Sequence, residues 1–302
     1  MRRGVGVNDE AFVRSISNGP LETFESNSLG SRNKKVDFFW SAGKQFMIKS
    51  LTEMEVSQVV QILPSYLQHL DNQPGSLLTR FCALYTIETM PTALPLSSTV
   101  WERICWPFRR RTRRHYVVMK NSLHPSRKMS RTFDLKGSTL GRRSLPLGSK
   151  VAAASDAKRL VLKDLDFLES GSHLQLAPLL RRAVAEQLQA DVNYLNSIAV
   201  MDYSLLLAYS SPHFTIRRAV GVLGLRLKRF FLRRGAESSE HLDVFLGIID
   251  FLQPYTWKKW VETRLKSMVH DLEEVSAVDP FFYAQRFKYF MLRKVFPSGL
   301  RS

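Results

Sequence analysis

Four stretches of the 302-residue sequence carry side chains whose type and setting suit chemistry. They are Lys49 at the end of the apolar run Phe46-Met47-Ile48, the pentapeptide Asp134-Leu135-Lys136-Gly137-Ser138, the hexapeptide Met201-Asp202-Tyr203-Ser204-Leu205-Leu206, and Asp250 after Gly247-Ile248-Ile249. One lysine and two acids at strand ends suffice for phosphoryl transfer. That reaction needs a cation on the nucleotide phosphates, a carboxylate holding Mg²⁺ between them, and a carboxylate orienting the acceptor hydroxyl. Lys49, Asp250 and Asp202 would fill these roles in that order. Each also has a plainer reading: a lysine ending a strand is commonly a solvated terminus, and an Asp in a turn commonly caps backbone amides. Asp250 is the hardest to dismiss, because a charge beside a buried strand costs roughly several kcal/mol unless it meets a partner or a metal.

Stepping outward to the elements, residues 1–35 cluster Gly, Ser and Asn and read as an irregular lead-in with one short helix at most. The runs VDFFW and QFMIK, joined by Ser41-Ala42-Gly43-Lys44, predict a β-hairpin that ends at Lys49. Thr52 and Glu55 have capping-box spacing before a helical pattern, in which Pro64 should bend or end the first segment. Strands are expected over 80–89, 115–120 and 131–136, a short strand and turn in KRLVLKDLDF, and a long amphipathic helix in APLLRRAVAEQLQADVNYLNS. MDYSLLLAYS reads as a turn feeding a buried strand, HLDVFLGIIDFL as an apolar strand, 257–270 as a basic helix, and the segment from Pro280 as a last amphipathic helix. A β-rich first third and a mixed remainder give an α+β, two-lobed architecture with antiparallel sheets and flanking helices. Its expected divisions are 1–25 as lead-in, 26–122 as a nucleotide-binding lobe, and 123–302 as a catalytic and lipid-binding lobe with a basic insert at 211–240.

Composition narrows the partners. There are 44 Lys+Arg against 27 Asp+Glu, a formal charge of +17, so something acidic is expected to bind. Two cysteines give no disulfide framework, and the seven histidines show no HExxH spacing, which argues against secretion and against a zinc or haem site. The apolar runs fall short of the roughly 18–20 residues that span a bilayer, and acids stand where a signal peptide has its apolar region. Membrane contact would therefore be peripheral. No helix-turn-helix pattern, zinc ligands or RNP-like run accompanies the charge, so nucleic acid is not the expected partner.

The series FMIK, FDLKGSTLGR, LKDLDF, MDYSLLL, GIIDFLQ and SAVDPFFYAQRF, in this order, resembles the phosphatidylinositol phosphate kinases across about residues 20–297. The resemblance implies a kinase fold that uses ATP and Mg²⁺. It places Lys49 on the nucleotide phosphates, Asp202 as the catalytic-loop acid and Asp250 as the metal-binding acid, with Glu55 as a candidate partner of Lys49. Lys163 would add a cation near the phosphates, and Lys136 and Arg142 would face the lipid headgroup. Glu262 stands at the activation-segment position that separates the type I 5-kinases from the type II 4-kinases. The implied reaction is 5-phosphorylation of phosphatidylinositol 4-phosphate, at the cytosolic face of a membrane such as the plasma membrane. Lys258, Lys259, Arg264 and Lys266, among Trp257, Trp260, Leu265 and Met268, suit docking on an anionic leaflet. A homo- or heterodimer with a related lipid kinase is a further expectation.

Two features depart from the pattern. Where a glycine-rich phosphate loop is expected, the sequence reads SRNKKVDFF, with Lys34, Lys35, Val36 and Asp37 in place of small residues. A pseudokinase-like scaffold that binds anionic lipid and recruits an active kinase is therefore the alternative reading. The basic, apolar-interleaved segment 217–234 reads as a membrane-surface helix, with a solvated insert as the other option.

Overall fold

A computed structural model describes residues 5–24, 36–89, 112–123, 129–146, 160–210, 227–234, 238–254 and 279–298. After a first helix, α1 (Asp9–Ser17), comes an antiparallel sheet built from β1 (Glu22–Phe24), β2 (Phe38–Trp40), β3 (Phe46–Leu51), β4 (Phe81–Thr89) and β5 (Thr112–Lys120), in the order β1-β2-β3-β5-β4. The expected hairpin is β2–β3, with Phe38 opposite Lys49 and the Ser41 hydroxyl accepting from the Phe46 N–H at its turn (3.0 Å). The first sheet thus draws in β1 from the stretch expected to be irregular.

Helix α2 (Glu53–Asn72) starts at the predicted capping box: the Thr52 hydroxyl accepts from the Glu55 N–H and the Glu55 carboxylate from the Thr52 N–H. Its buried residues Gln58, Val59, Ile62, Tyr66 and Leu70 recur every three or four positions, which is the stripe a helix presents to a core. Of the two outcomes expected of Pro64, a bend or an end, the helix does not end there. The carbonyl that Pro64 leaves without a donor belongs to Val60, which is exposed, and there water can serve instead.

The second sheet comprises β6 (Arg131–Leu135), β7 (Val161–Leu162), β8 (Ser172–Gln175), β10 (Ser204–Ser210), β11 (Leu227–Arg234) and β12 (Ser238–Ile249), in the order β7-β6-β10-β12-β11-β8. Around it lie α3 (Asp164–Glu169), which replaces the turn expected after KRLVL, α4 (Pro178–Ser197) and α5 (Pro280–Phe290). The surface helix expected over 217–234 is corrected over 227–234. There the chain is strand β11, hydrogen-bonded to β12 on one side and β8 on the other, and pairing from both edges outweighs any local helical preference. The basic helix expected at 257–270 lies outside the described residues.

Among the described residues, backbone from one sheet meets the other at two crossings. Residues 77–79 run parallel to the end of β12, where Ile248 N–H donates to the Leu77 carbonyl (2.7 Å) and Thr79 N–H to the Ile248 carbonyl (2.9 Å). Asp191 of α4 pins this crossing from below. Wholly buried, it accepts from the Leu77 N–H (2.7 Å) and bonds His69 of α2 (2.7 Å), whose ring stacks on Tyr194. At the second crossing Ser122 lies over Gly247, where a Cβ would come within 2.7 Å of the serine side chain. The rings of Tyr66, Phe81 and Phe251 fill the space between, at 5.0–6.1 Å.

Asp191→Ala strands a buried amide and a histidine together, so we expect it to cost about 3 kcal/mol in denaturant unfolding. Gly247→Ala should cost about 1–3 kcal/mol by overpacking the same junction. Wild-type midpoints in both variants would show that the junction bears no strain.

Candidate active site

The small sheet formed by β9 (Val200–Met201) and β13 (Gln253–Pro254) closes the architecture around two acids. Met201 pairs with Gln253, and Ser204 at the start of β10 pairs with Ile249 at the end of β12. The intervening loops, one holding Asp202 and the other Asp250, are thereby held side by side. Both acids adopt left-handed backbone, φ 66° for Asp202 and 61° for Asp250. That region is sparsely used by residues other than glycine, and each instance costs about 1 kcal/mol or more. Two such residues at neighbouring strand ends mark a place where side-chain direction outweighs backbone comfort.

Each acid meets a lysine. Lys49 of β3 donates to Asp250 Oδ1 (3.1 Å), and its Nζ lies 3.6 Å from Glu55 Oε1. The other oxygen of Glu55 closes the capping box, so one carboxylate both starts α2 and faces the lysine. Burial pulls the Lys49 amine down, but Asp250 and Glu55 outweigh it and leave the amine above its ordinary value. The Lys49 ammonium in turn holds Asp250 below the usual carboxylate range, against the opposing push of burial and with help from Lys136. Asp250 nevertheless keeps 43% of its side chain exposed, which leaves room for a ligand.

Lys136, just past β6, donates to Asp202 Oδ1 (2.6 Å). Arg142 is buried and turned inward, its Nε donating to Asp164 (2.7 Å) and its Nη2 to Asp134 (3.0 Å). Lys163 is half-buried. Its amine is drawn down by burial and by Arg142, and its charged neighbours are Asp134, Asp166 and Lys136 rather than Lys49. The residues therefore fall into a group around Lys49, Glu55 and Asp250 and a second around Asp202, Lys136, Arg142 and Lys163. Glu262, Lys258 and Lys259 lie outside the described residues, as do residues 31–35 of the expected phosphate loop. Of the two carboxylates that hold Arg142, Asp134 lies in the pentapeptide singled out from sequence, whereas Asp164 was overlooked. An acid inside the apolar run LKDLDFL was the available signal for Asp164.

Mg²⁺ commonly takes one or two protein carboxylates and completes its shell with phosphate and water oxygens. The partly open Asp250 carboxylate beside Lys49 fits that donor set. Among the described residues no group of three or more His, Cys, Asp or Glu gathers as a protein-only metal site.

Lys49, Glu55 and Asp250 thus gather where the two sheets meet, with Asp202 on the neighbouring loop. The chain belongs to the phosphatidylinositol-4-phosphate 5-kinase family, whose sequence model matches residues 22–223 and 225–294. It is similar to phosphatidylinositol 4-phosphate 5-kinase type-1 alpha of Rattus norvegicus, 29% identical over 329 residues, covering 96% of this chain and 54% of that protein. It also resembles phosphatidylinositol 4-phosphate 5-kinase its3 of Schizosaccharomyces pombe, at 28% identity over 91% of this chain and 42% of that protein. Phosphatidylinositol 4-phosphate 5-kinase-like protein 1 of Homo sapiens matches at 28% over 95% of this chain and 70% of that protein. The chain spans about half the length of the first two relatives.

The paired shifts set a pH dependence. A raised lysine stabilises the fold below its ordinary value and loses that contribution as pH climbs through the folded value. A depressed aspartate stabilises above its ordinary value and loses that contribution as pH falls through the folded one. Relative to Lys49→Met, the wild-type melting temperature should thus be most favourable between about pH 5 and about pH 10 and decline towards the variant at both ends. Parallel profiles would remove the pair from the stability of the fold.

Proposed function

We propose that this chain transfers the γ-phosphoryl group of ATP to the 5-hydroxyl of phosphatidylinositol 4-phosphate, giving the 4,5-bisphosphate. The observation that carries this reading is the juxtaposition of two left-handed loop aspartates, each held by a lysine from a different sheet. Lys49, backed by Glu55, reaches the nucleotide phosphates and is oriented before they arrive. Asp250 offers its open carboxylate to Mg²⁺, which when bound withdraws charge from the phosphoryl group in transfer. Asp202 orients the 5-hydroxyl and takes its proton as the new O–P bond forms and the bond to the departing diphosphate breaks. Lys136 keeps Asp202 directed and supplies positive charge on the acceptor side, joined by Lys163. Arg142, buried and engaged by Asp164 and Asp134, faces inward rather than towards a headgroup and supports the turn that carries Lys136. Glu262 selects the 4-phosphate lipid, while Lys258 and Lys259 dock on the anionic leaflet, where each cation near the surface contributes roughly 1 kcal/mol.

Among the described residues no helix is long and apolar enough to cross a membrane, so docking at the surface is the form of contact the reading requires. A homo- or heterodimer with a related lipid kinase remains part of the proposal. The scaffold reading is favoured by one observation, the Lys34-Lys35-Val36-Asp37 run where small residues would let backbone amides approach phosphates.

Radiolabelled ATP and vesicles carrying mono- and bisphosphorylated inositides separate the two. Wild type should label phosphatidylinositol 4-phosphate, and Lys49→Ala, Asp202→Asn and Asp250→Asn should each lose about a hundredfold or more. Unchanged turnover in Asp250→Asn would sink the assigned mechanism. Vesicle binding without turnover, and without a melting-temperature rise on Mg-ATP, would instead establish the scaffold. Glu262→Ala should alter the preference among lipids rather than only the rate. Raising salt should release the protein from anionic vesicles well below the concentration that unfolds it.

A further inference from the structure

Asp164 is fully buried, and the proposed phosphoryl transfer gives it no part. As the first residue of α3 it faces the turn after β6. Its Oδ1 accepts from the N–H groups of Lys136 (2.9 Å) and Gly137 (2.7 Å), and its Oδ2 from Arg142 Nε (2.7 Å). Burial pushes its carboxyl up, opposed by the Arg142 charge and the two amides. All three donors belong to the stretch that carries Lys136. On the other side this turn rests against α5. Gly137 has φ +72°, and a Cβ there would come within 3.0 Å of the Phe290 Cβ and 3.3 Å of the Arg286 carbonyl. Asp166, two residues on, serves a different stretch, accepting from the N–H groups of Ser144, Leu145 and Lys163.

A lysine has four rotatable side-chain bonds, and a single partly exposed ion pair does little to order them. Lys136 nevertheless lies 2.6 Å from Asp202, whose side chain is 32% exposed. We infer that Asp164 is a positioning residue of the acceptor side, whose three bonds fix the backbone of Lys136 and thereby set the approach of the Lys136 amine to Asp202. The consequence for turnover rests on the lipid-kinase reading. The consequence for Lys136 does not.

Asp164→Asn is the direct test. Its amide oxygen can still accept the two N–H groups, but its NH₂ then faces the Arg142 Nε–H, donor against donor. In the folded variant, acetylation of Lys136 by acetic anhydride, followed by mass spectrometry, should rise about tenfold as the turn loosens. Lys49 should label as in wild type. Turnover on phosphatidylinositol 4-phosphate vesicles should fall about a hundredfold with little change in KM for ATP. Asp191→Asn, an equally buried carboxylate away from this turn, should lower the melting temperature and leave Lys136 labelling unchanged. Wild-type Lys136 labelling in folded Asp164→Asn, or an equal rise in Asp191→Asn, would overturn the inference. If Asp164→Asn does not fold, Gly137→Ala pushes the turn off Asp164 from the α5 side and should reproduce the Lys136 signature. Faster amide exchange at Lys136 and Gly137 in that variant with wild-type Lys136 labelling would overturn it too. A wild-type protein that labels as expected but never phosphorylates lipid would overturn the lipid-kinase reading while leaving the positioning of Lys136 standing.

Discussion

The ion pair between Lys49 and Asp250 spans 201 positions of sequence and bridges the two sheets at the mouth of the site. Lys49 is almost fully buried, and an ammonium in that setting is tolerable only where carboxylates surround it. One carboxylate, Glu55, is delivered by the first turn of α2, fixed there by the capping box. The other can arrive only if the end of β12 is held against β3, and that is what the crossings at residues 77–79 and at Ser122 accomplish. Gly247 has no side chain because Ser122 needs its space, and Asp250 follows three residues later. The lobe junction and the charge pair are therefore one constraint seen at two points of the same strand.

The second pair, Lys136 with Asp202, differs in kind. Both of its members come from the second sheet or its loops, so it asks nothing of the junction. The Lys49–Asp250 pair thus depends on how the two sheets meet, while the Lys136–Asp202 pair is internal to one of them and its loops. The small β9–β13 sheet links the two, because it keeps the loops that carry Asp202 and Asp250 aligned.

Much of this was legible from residue pattern. The β2–β3 hairpin, the capping box, α4 and the strands around residues 81–89, 115–120 and 131–135 follow from local signals, because turn chemistry, caps and apolar periodicity act within a few residues. That Pro64 does not end α2 has a local reason as well, since its cost depends on whether the orphaned carbonyl is wet. Segment 227–234 could not be read locally. Its strand state comes from pairing with β12 and β8, partners before and after it in sequence, and its dense basic charge resembles a surface helix just as well. Among the site residues, Lys49, Asp202 and Asp250 stand out as charges at the ends of apolar runs. Asp164, although set inside the apolar run LKDLDFL, goes unremarked because its burial appears only when the turn after β6 folds over it.

The last helix shows how far a site can reach into what seems to be scaffold. By pattern α5 is a simple amphipathic helix closing a lobe. Its buried face carries Tyr283, whose hydroxyl donates to the Tyr203 carbonyl beside Asp202, and Phe287, which packs edge-on to Tyr203 at 5.0 Å. On the same helix the Arg286 carbonyl and Phe290, about one and two turns past Tyr283, crowd Gly137, next to Lys136. Both residues of the Lys136–Asp202 pair are thus backed by the same helix, one through a tyrosine and the other through a glycine that admits the helix. Because packed side chains at this density do not yield continuously, a shift of α5 would move Lys136 and Asp202 together rather than apart. The pair is held by Asp164 from one side and by α5 from the other, which is why a half-buried salt bridge, with side chains 13% and 32% exposed, keeps its geometry here.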